Sequence, residues 1–228
     1  MIFDLDGTLV DSYDGITESL NRALDRMGLP RRSVLEVRPK VGLGLETLIR
    51  GMVGEDRVEE GVRLFRRHYS RICASRTRLL PGVSSTLAAL HRKKIRMAVA
   101  TNKPTPFTER ILTSLSIRAY FDYLIGPDLV THPKPHPEMI FRVLRHFPCA
   151  RWEVILVGDM SVDVETARTS GIPVAVLPTG SQSRQQLEKA GPDLILDRFA
   201  DLPPVLAKFW MARARGGEKP MTVEMPVR

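Results

Sequence analysis

The chain opens on the stretch that decides its fold, Met1-Ile-Phe-Asp4-Leu-Asp6-Gly7-Thr8-Leu-Val-Asp11. A short apolar run ends in two acids that are one residue apart, and a glycine and a threonine follow at once. If the run is a buried parallel strand, both acids lie at its carboxyl end, where open α/β sheets bind their ligands. One carboxylate can then attack a substrate while the other moves a proton.

Short apolar runs alternate with helical patterns from Leu79 onward. The strand-like runs lie at residues 95–100, 120–125, 154–157, 174–177 and 194–196, and a helical segment separates each run from the next. Alternation of this kind is typical of a parallel sheet with helices on both faces. The sequence therefore predicts an α/β fold with a doubly wound, Rossmann-like core.

Residues 13–76 show helical periodicity and no strand pattern. Apolar side chains recur at helical spacing from Ile16 to Met27 and again from Val58 to Ile72. We therefore predict a helical cap at 13–76, inserted after the first strand into a catalytic core formed by 1–12 and 77–210. Residues 211–228 are rich in glycine, proline and charge, so we expect a disordered tail.

The first strand is short. Only three residues precede Asp4, whereas a typical strand has about five to six residues. We therefore expect the natural start of the chain to lie upstream of Met1.

Composition excludes several classes of protein. The chain has 43% hydrophobic and 26% charged residues, which is ordinary for a globular protein. It has no apolar run long enough for a membrane span and no signal-peptide pattern at the N-terminus. Two cysteines, Cys73 and Cys149, are too few for a disulfide framework. We expect a cytoplasmic protein without a membrane partner.

The positive net charge has two interpretations. A charge of +8 can indicate a nucleic acid or an anionic substrate as the partner. The basic residues are scattered along the chain, and no basic stripe is interleaved with aromatic residues. We therefore expect no nucleic-acid partner.

Four polar segments follow predicted strands or lie in the loop after one. They are Asp4-Leu-Asp6-Gly7-Thr8, Thr101-Asn102, Lys134 and Gly158-Asp159-Met-Ser-Val-Asp163. The set resembles the haloacid dehalogenase superfamily from residue 2 to about residue 209. The helical insert after the first motif, and the run Val41-Gly-Leu-Gly44-Leu-Glu-Thr-Leu-Ile49, resemble its phosphoglycolate phosphatase-like branch.

The resemblance implies a role for each residue at the start of the chain. Asp4 would be the nucleophile and would form an aspartyl phosphate. Asp6 would protonate the leaving oxygen and then take a proton from the hydrolytic water, and its main-chain carbonyl would bind the metal. Gly7 would let the backbone turn sharply beside the phosphate.

The later motifs would supply the metal site and the phosphate site. The resemblance implies that Asp159, with Asp4 and Asp6, holds Mg²⁺. Asp163 would lie behind the metal ligands and hold a metal-bound water or Lys134. Lys134 would neutralise the phosphate and the nucleophile. The two residues expected to bind phosphate oxygens are Thr101 and Asn102.

Other polar residues stay open. His132 and His136 bracket Lys134, but histidines in a proline-rich loop are more often surface residues than metal ligands. Lys103 and Arg76 could reach a substrate, and the sequence does not decide whether they do.

The resemblance implies a Mg²⁺-dependent phosphatase that acts on a small phosphorylated metabolite, with phosphoglycolate as the first candidate and a monomer or homodimer as the assembly. An inorganic pyrophosphatase, a nucleotidase and a sugar phosphomutase remain alternatives on the same scaffold. A non-catalytic binding protein is a further alternative. Product analysis separates the enzymatic alternatives.

Overall fold

The core of the molecule is a parallel sheet of short apolar strands. The structure is a computed structural model, and it describes residues 1–147 and 149–215. Its strands are β1 (Ile2–Phe3), β2 (Val10–Asp11), β3 (Arg78–Leu79), β4 (Ala98–Ala100), β5 (Tyr123–Ile125), β6 (Leu156–Gly158), β7 (Val174–Val176) and β8 (Leu194–Ile195). All of them except β2 and β3 belong to this sheet.

The order of the strands places the first motif at the centre of the sheet. The order is β5-β4-β1-β6-β7-β8, and every neighbouring pair is parallel. The chain winds outward from β1 through β4 to β5, and then crosses to the other side for β6, β7 and β8. The carboxyl end of β1 therefore lies where the winding direction reverses, which is where doubly wound folds open a ligand crevice. The predicted fold class is confirmed.

Ten α-helices connect and cover these strands in the described part of the chain. They are α1 (Tyr13–Arg26), α2 (Val34–Val37), α3 (Leu45–Val53), α4 (Val58–Ile72), α5 (Val83–Arg92), α6 (Thr105–Ser114), α7 (Glu138–His146), α8 (Ser161–Ser170), α9 (Arg184–Ala190) and α10 (Leu202–Arg215).

Side chains alternate between the two faces of the sheet. Ile2 belongs to an apolar cluster with buried residues of α7, α8 and α9. Phe3, the next residue, belongs to a second cluster with residues of α5, α6 and α10. This period of two follows from strand geometry. Because both faces are covered, the strands are apolar throughout, as the sequence indicated.

Helices α1 to α4 form a helical unit, called the cap below, that packs on the second cluster over the carboxyl end of β1. Arg57, which precedes α4, donates from Nη1 to the Met27 carbonyl just after α1, at 3.2 Å. The end of α1 therefore lies beside the start of α4, and the two helices run antiparallel. Buried cap residues such as Leu20 and Phe65 continue the core cluster of the sheet. Within 13–76 the structure has no strand, as the sequence pattern indicated.

A short antiparallel ribbon joins this helical unit to the core, and the sequence did not predict it. Strands β2 and β3 pair Val10 with Leu79 and Asp11 with Arg78. Two-residue strands are too short to show a period-two pattern, which is why they were missed. The ribbon lies just outside both predicted boundaries of the cap, so the two connections between cap and core run side by side.

The C-terminal prediction needs a correction. The sequence predicts disorder from residue 211, but helix α10 continues to Arg215. The buried side chains of Leu202 and Leu206 hold this helix against the core cluster, which composition alone could not show. The rest of the predicted tail, 216–228, lies outside the described residues. Among the helices of the described part, none is both long and apolar enough to cross a membrane.

Removal of the Phe3 ring should strongly destabilise the protein. Phe3 is fully buried, and its ring contacts Phe121 and Phe199 at centroid distances of 6.2 and 5.9 Å. We expect Phe3→Ala to lower the free energy of unfolding by about 3–5 kcal/mol, measured by urea denaturation. Leu35 is 78% exposed, so Leu35→Ala serves as the control and should change that energy by less than about 0.5 kcal/mol. Equal effects of the two substitutions would contradict this packing.

Candidate active site

The polar segments predicted from the sequence meet at one edge of the sheet. Asp4 directly follows β1, Thr101 follows β4 and Asp159 follows β6. Lys134 lies in the loop between β5 and α7. All four side chains are buried. Parallel strands bring their carboxyl ends to the same edge, which is why residues so far apart in the chain converge here.

Lys134 forms the centre of the charged cluster. Its Nζ lies 2.7 Å from Asp4 Oδ1 and 2.7 Å from Asp163 Oδ1. Burial on its own would lower the pKa of Lys134, but the charges of Asp163 and Asp4 outweigh burial and raise it above the ordinary lysine value. Lys134 therefore stays an ammonium and holds two buried carboxylates together.

Asp159 is held by the loops around it. Thr8 Oγ1 donates to its Oδ1 at 2.8 Å, and the Ser181 backbone N–H donates to its Oδ2 at 3.1 Å. Burial is the largest cause that raises the pKa of Asp159 well above its ordinary value, and the charges of Asp4 and Asp163 add to it. Asp159 is therefore the carboxylate that most lacks a positive partner.

Two glycines form the wall beside Asp159. A Cβ at Gly180 would lie 1.7 Å from Asp159 Oδ2, and a Cβ at Gly7 would lie 2.4 Å from the same atom. Gly7 also has a φ of +83°, which favours glycine. The backbone therefore approaches this carboxylate more closely than any side-chain-bearing residue could.

Asp163 lies on the first turn of α8 and faces the same cluster. Its Oδ2 accepts the backbone N–H groups of Asp159 and Met160 at 3.2 and 3.1 Å, and its Oδ1 accepts from Lys134. Burial raises the pKa of Asp163, and the charge of Lys134 opposes that shift. Asp163 thus fixes both the loop after β6 and the lysine, which agrees with the expected contact to Lys134.

Three of these carboxylates can hold a metal ion. One oxygen each from Asp4, Asp159 and Asp163 lies within 4.8 Å of the others, and all three residues are buried. Three buried like charges repel one another, and Lys134 contacts only two of them. A hard divalent cation takes oxygen ligands and would supply the missing positive charge. The donor set therefore fits such a cation.

Asp6 lies in the same crevice but belongs to a separate set of contacts. Ser12 Oγ donates to its Oδ1, and Lys103 Nζ lies 2.9 Å from its Oδ2. Lys103 also donates to the Tyr69 hydroxyl at 2.8 Å. Burial raises the pKa of Tyr69 to about 12, so the phenol keeps its proton. The sequence left the role of Lys103 open and gave no sign of its pairing with Asp6.

Thr101 and Asn102 differ in what they contact. Thr101 lines the crevice beside Asp4, and its hydroxyl oxygen accepts the Lys103 backbone N–H at 3.3 Å. The Asn102 side chain instead accepts the Lys134 backbone N–H at 3.0 Å and donates to the Lys134 carbonyl at 2.9 Å. It also donates to the carbonyl of Gly42 at 3.0 Å. Asn102 therefore fixes the lysine loop and ties it to the cap.

The cap covers the crevice, and a small cavity remains between cap and core. The cavity has a volume of about 50 Å³, and Asp4 and Asp6 lie at its polar end. Most of the other walls are apolar side chains: Ile16, Val41, Leu45, Leu48, Phe65, Tyr69, Pro104 and Phe107. The crevice therefore offers little space beside the carboxylates in this arrangement of cap and core.

The loop after β7 forms hydrogen bonds with the cap. Arg38 donates from Nε to the Gly180 carbonyl at 3.0 Å and from Nη2 to the Thr179 carbonyl at 2.9 Å. Ser181 Oγ donates to the Val41 carbonyl at 3.1 Å. The same loop supplies the N–H group that binds Asp159, so it links the cap to that carboxylate. A run of glycine, serine and threonine after a strand was the signal in the sequence that could have found it.

The remaining candidates lie away from the cluster. His132 and His136 are exposed and lie next to Glu138, to which His132 Nδ1 approaches at 3.6 Å. Arg76 is paired with Glu18 at 3.1 Å and does not line the cavity. The expectation of surface histidines agrees with the structure.

Comparison with known proteins agrees with this geometry. The model of the haloacid dehalogenase-like hydrolase family matches residues 1–177. The chain is 34% identical over 228 residues to the phosphoglycolate phosphatase of Salmonella paratyphi A, with 90% of each chain covered. It is 36% identical over 207 residues to the phosphoglycolate phosphatase of Photorhabdus laumondii, with 88% of each covered.

A solved structure shows the same architecture. The crystal structure of a predicted phosphoglycolate phosphatase from Haemophilus somnus matches with a TM-score of 0.85 and 31% identity, and the match covers 90% of this chain and 96% of that one. The match includes cap and core together. With a buried aspartate cluster at the carboxyl end of its parallel sheet, the chain belongs to the haloacid dehalogenase-like hydrolases and is a phosphatase.

Proposed function

We propose that this protein hydrolyses a small phosphate monoester, with phosphoglycolate as the preferred candidate, through a phosphoaspartate at Asp4 and with Mg²⁺ as the metal. The observation that carries the proposal is the position of Lys134 Nζ, 2.7 Å from Asp163 and 2.7 Å from Asp4, which lines a cavity of about 50 Å³. This arrangement keeps a buried carboxylate ionised and oriented, as a nucleophile must be.

Asp4, Asp159 and the main-chain carbonyl of Asp6 would hold the metal, with Asp163 behind them. All of these are oxygen donors, and a small number of carboxylates with retained waters is the type of site that Mg²⁺ prefers. When bound, the metal would supply positive charge against the phosphate and the nucleophile. Asp163 is already engaged with Lys134 and two backbone N–H groups, which supports the more distant role for it.

The side chains divide the chemistry between them. Asp4 attacks phosphorus and the ester oxygen leaves, which forms the aspartyl phosphate. Asp6 gives a proton to that oxygen and later takes one from the water that attacks the intermediate. Lys134 neutralises charge on the phosphate and the nucleophile, and Thr101 and the backbone N–H of Asn102 bind phosphate oxygens.

The small cavity supports a small leaving group. The apolar walls lie close to the carboxylates, which favours a small alcohol over a nucleoside or a sugar. The similar proteins from Salmonella paratyphi A and Photorhabdus laumondii are named for phosphoglycolate. Both cysteines are free thiols, which supports the cytoplasmic location that we also propose.

Removal of the nucleophile should abolish turnover. We expect wild-type protein to release phosphate from 2-phosphoglycolate only with Mg²⁺, and Asp4→Asn to lower the rate at least about a thousandfold, because an amide cannot form the intermediate. Phosphate release is measured over a panel of esters, pyrophosphate and nucleotides. Asp56 is an exposed aspartate remote from the site, so Asp56→Asn is the control and should leave the rate unchanged.

Each other outcome of that panel points elsewhere. If phosphate is released only from pyrophosphate or only from nucleotides, the protein is a pyrophosphatase or a nucleotidase and not a phosphatase of small esters. An isomerised sugar phosphate without free phosphate would indicate a mutase. Full activity of Asp4→Asn would refute the phosphoaspartate mechanism.

Magnesium binding should depend on pH through Asp159. Because its folded-state pKa is raised, the metal-free protein keeps a proton on Asp159 that the unfolded chain has lost above about pH 4. The metal-free protein therefore loses stability as pH rises from about 4 through the raised pKa of Asp159. Since Mg²⁺ displaces that proton, its affinity rises over the same interval.

We expect Mg²⁺ to raise the Tm more at pH 8 than at pH 5, measured by thermal unfolding at fixed ionic strength. Asp159→Asn should lose most of this Mg²⁺-induced shift at pH 8, while Asp56→Asn keeps it. An identical Mg²⁺-induced shift at the two pH values would contradict the assignment.

The glycine at the wall of the metal site should not tolerate a methyl group. Gly180→Ala would place Cβ 1.7 Å from Asp159 Oδ2, so the loop or the carboxylate must move, and a displacement of about 1 Å can cost about a hundredfold in rate. Gly51 lies in α3, where an added Cβ would meet only Lys40 Nζ at 3.8 Å. We expect kcat/KM to fall about a hundredfold in Gly180→Ala and to stay unchanged in Gly51→Ala. Equal activity of the two variants would show that Asp159 needs no such cradle.

A further inference from the structure

Lys103 is a buried cation in the cavity that the proposed mechanism does not use. It is only 7% exposed, and it lines the cavity beside Asp6. Its Nζ lies 2.9 Å from Asp6 Oδ2, and this ion pair favours the ammonium form of the lysine. The side chain therefore carries a full positive charge at the place where a leaving group would sit.

The contacts of Lys103 leave part of its hydrogen-bonding capacity open. An ammonium group has three N–H donors. Two described contacts use them, one to Asp6 Oδ2 at 2.9 Å and one to the Tyr69 hydroxyl at 2.8 Å. One donor is left on the side chain that borders the cavity, where it can bind an acceptor on a ligand.

The other walls cannot neutralise a negative charge. Among the described residues that line the cavity, the charged side chains are Asp4, Asp6 and Lys103. The first two repel anions, and the remaining walls are mostly apolar. A carboxylate in such a place is strongly unfavourable unless a cation pairs with it. An anionic group on the leaving alcohol therefore has a single partner here, which is Lys103.

Tyr69 contacts Lys103 across the boundary between cap and core. Tyr69 lies on α4 of the cap, whereas Lys103 follows β4 in the core. The Tyr69 ring stacks on Phe65 at 5.1 Å and meets Phe107 edge-on at 5.1 Å, so the position of its hydroxyl is fixed. The hydroxyl can therefore hold Lys103 in place across the boundary between cap and core.

We propose that Lys103 is the residue that selects substrates whose leaving alcohol carries a carboxylate, and that Tyr69 is its positioning residue. This inference rests on the proposed function, because it assumes that the ester binds with its phosphate at Asp4. It assigns the preference for an anionic leaving group to one charge, that of Lys103, which Tyr69 of the cap contacts.

The test compares two esters that differ in the carboxylate. 2-Phosphoglycolate and ethyl phosphate both have a two-carbon leaving group, but only the first carries the acid. We expect wild-type protein to favour 2-phosphoglycolate, and Lys103→Met to lower kcat/KM for it about ten- to a hundredfold more than for ethyl phosphate, since one charge-assisted hydrogen bond is lost. The difference should lie mainly in KM. Lys103→Arg should keep part of the preference, and Lys189→Met, at an exposed lysine, should keep all of it.

A binding measurement separates this inference from the proposed function. Calorimetry on Asp4→Asn and on Asp4→Asn with Lys103→Met gives the affinity for both esters without turnover. Tighter binding of 2-phosphoglycolate that disappears with Lys103→Met supports the inference even if the wild-type protein hydrolyses neither ester. Equal affinity of Asp4→Asn for the two esters overturns it even if hydrolysis proceeds. Equal loss of kcat/KM for both esters in Lys103→Met also overturns it, because Lys103 would then act only through Asp6.

Tyr69→Phe tests the positioning role. It keeps the ring and its stacking partners and removes only the hydroxyl that receives the Lys103 hydrogen bond. We expect the preference for 2-phosphoglycolate to fall severalfold, by less than in Lys103→Met. A lower Tm with an unchanged ratio of the two kcat/KM values would show a merely structural tyrosine and would overturn this part of the proposal.

Discussion

The rest of the site depends on the burial of several carboxylates around one ammonium group. Asp4, Asp159 and Asp163 lie close together out of water, and Lys134 pairs with the first and the third. Such a cluster is stable only if the charges are balanced and every oxygen has a partner. The hydroxyl of Thr8 and three backbone N–H groups supply those partners. A divalent cation would complete the balance, so under the proposed function the stability of the site and its chemistry have the same electrostatic origin.

Residues that order this cluster also form hydrogen bonds between the cap and the core. Asn102 binds the backbone on both sides of the Lys134 side chain and also the Gly42 carbonyl of the cap. The loop that binds Asp159 through Ser181 accepts hydrogen bonds from Arg38 of the cap. Two segments that order the charged cluster, Asn102 and the loop at Ser181, therefore also contact the cap.

The sequence was sufficient for the fold class, because the patterns that define it are long or repeated. Apolar runs alternating with helical segments predicted the parallel sheet, and the pair Asp4 and Asp6 after the first run predicted its functional edge. The ribbon formed by Val10–Asp11 and Arg78–Leu79 was missed because two residues show no periodicity. The predicted tail began at residue 211, inside α10, because composition does not show that Leu206 packs on the core.

Contacts between distant loops were beyond the sequence for a different reason. A lysine one residue after Thr101-Asn102 has no periodic or spacing signal that links it to Asp6 or to Tyr69, which lies 34 residues earlier. Lys103 meets Tyr69 only because the cap packs on the core. A family motif marks groups that act on the phosphate, which every substrate shares, whereas specificity must come from groups that meet the variable part of the ester. We expect those groups at the boundary between cap and core, where Lys103 lies, and the motifs do not contain them.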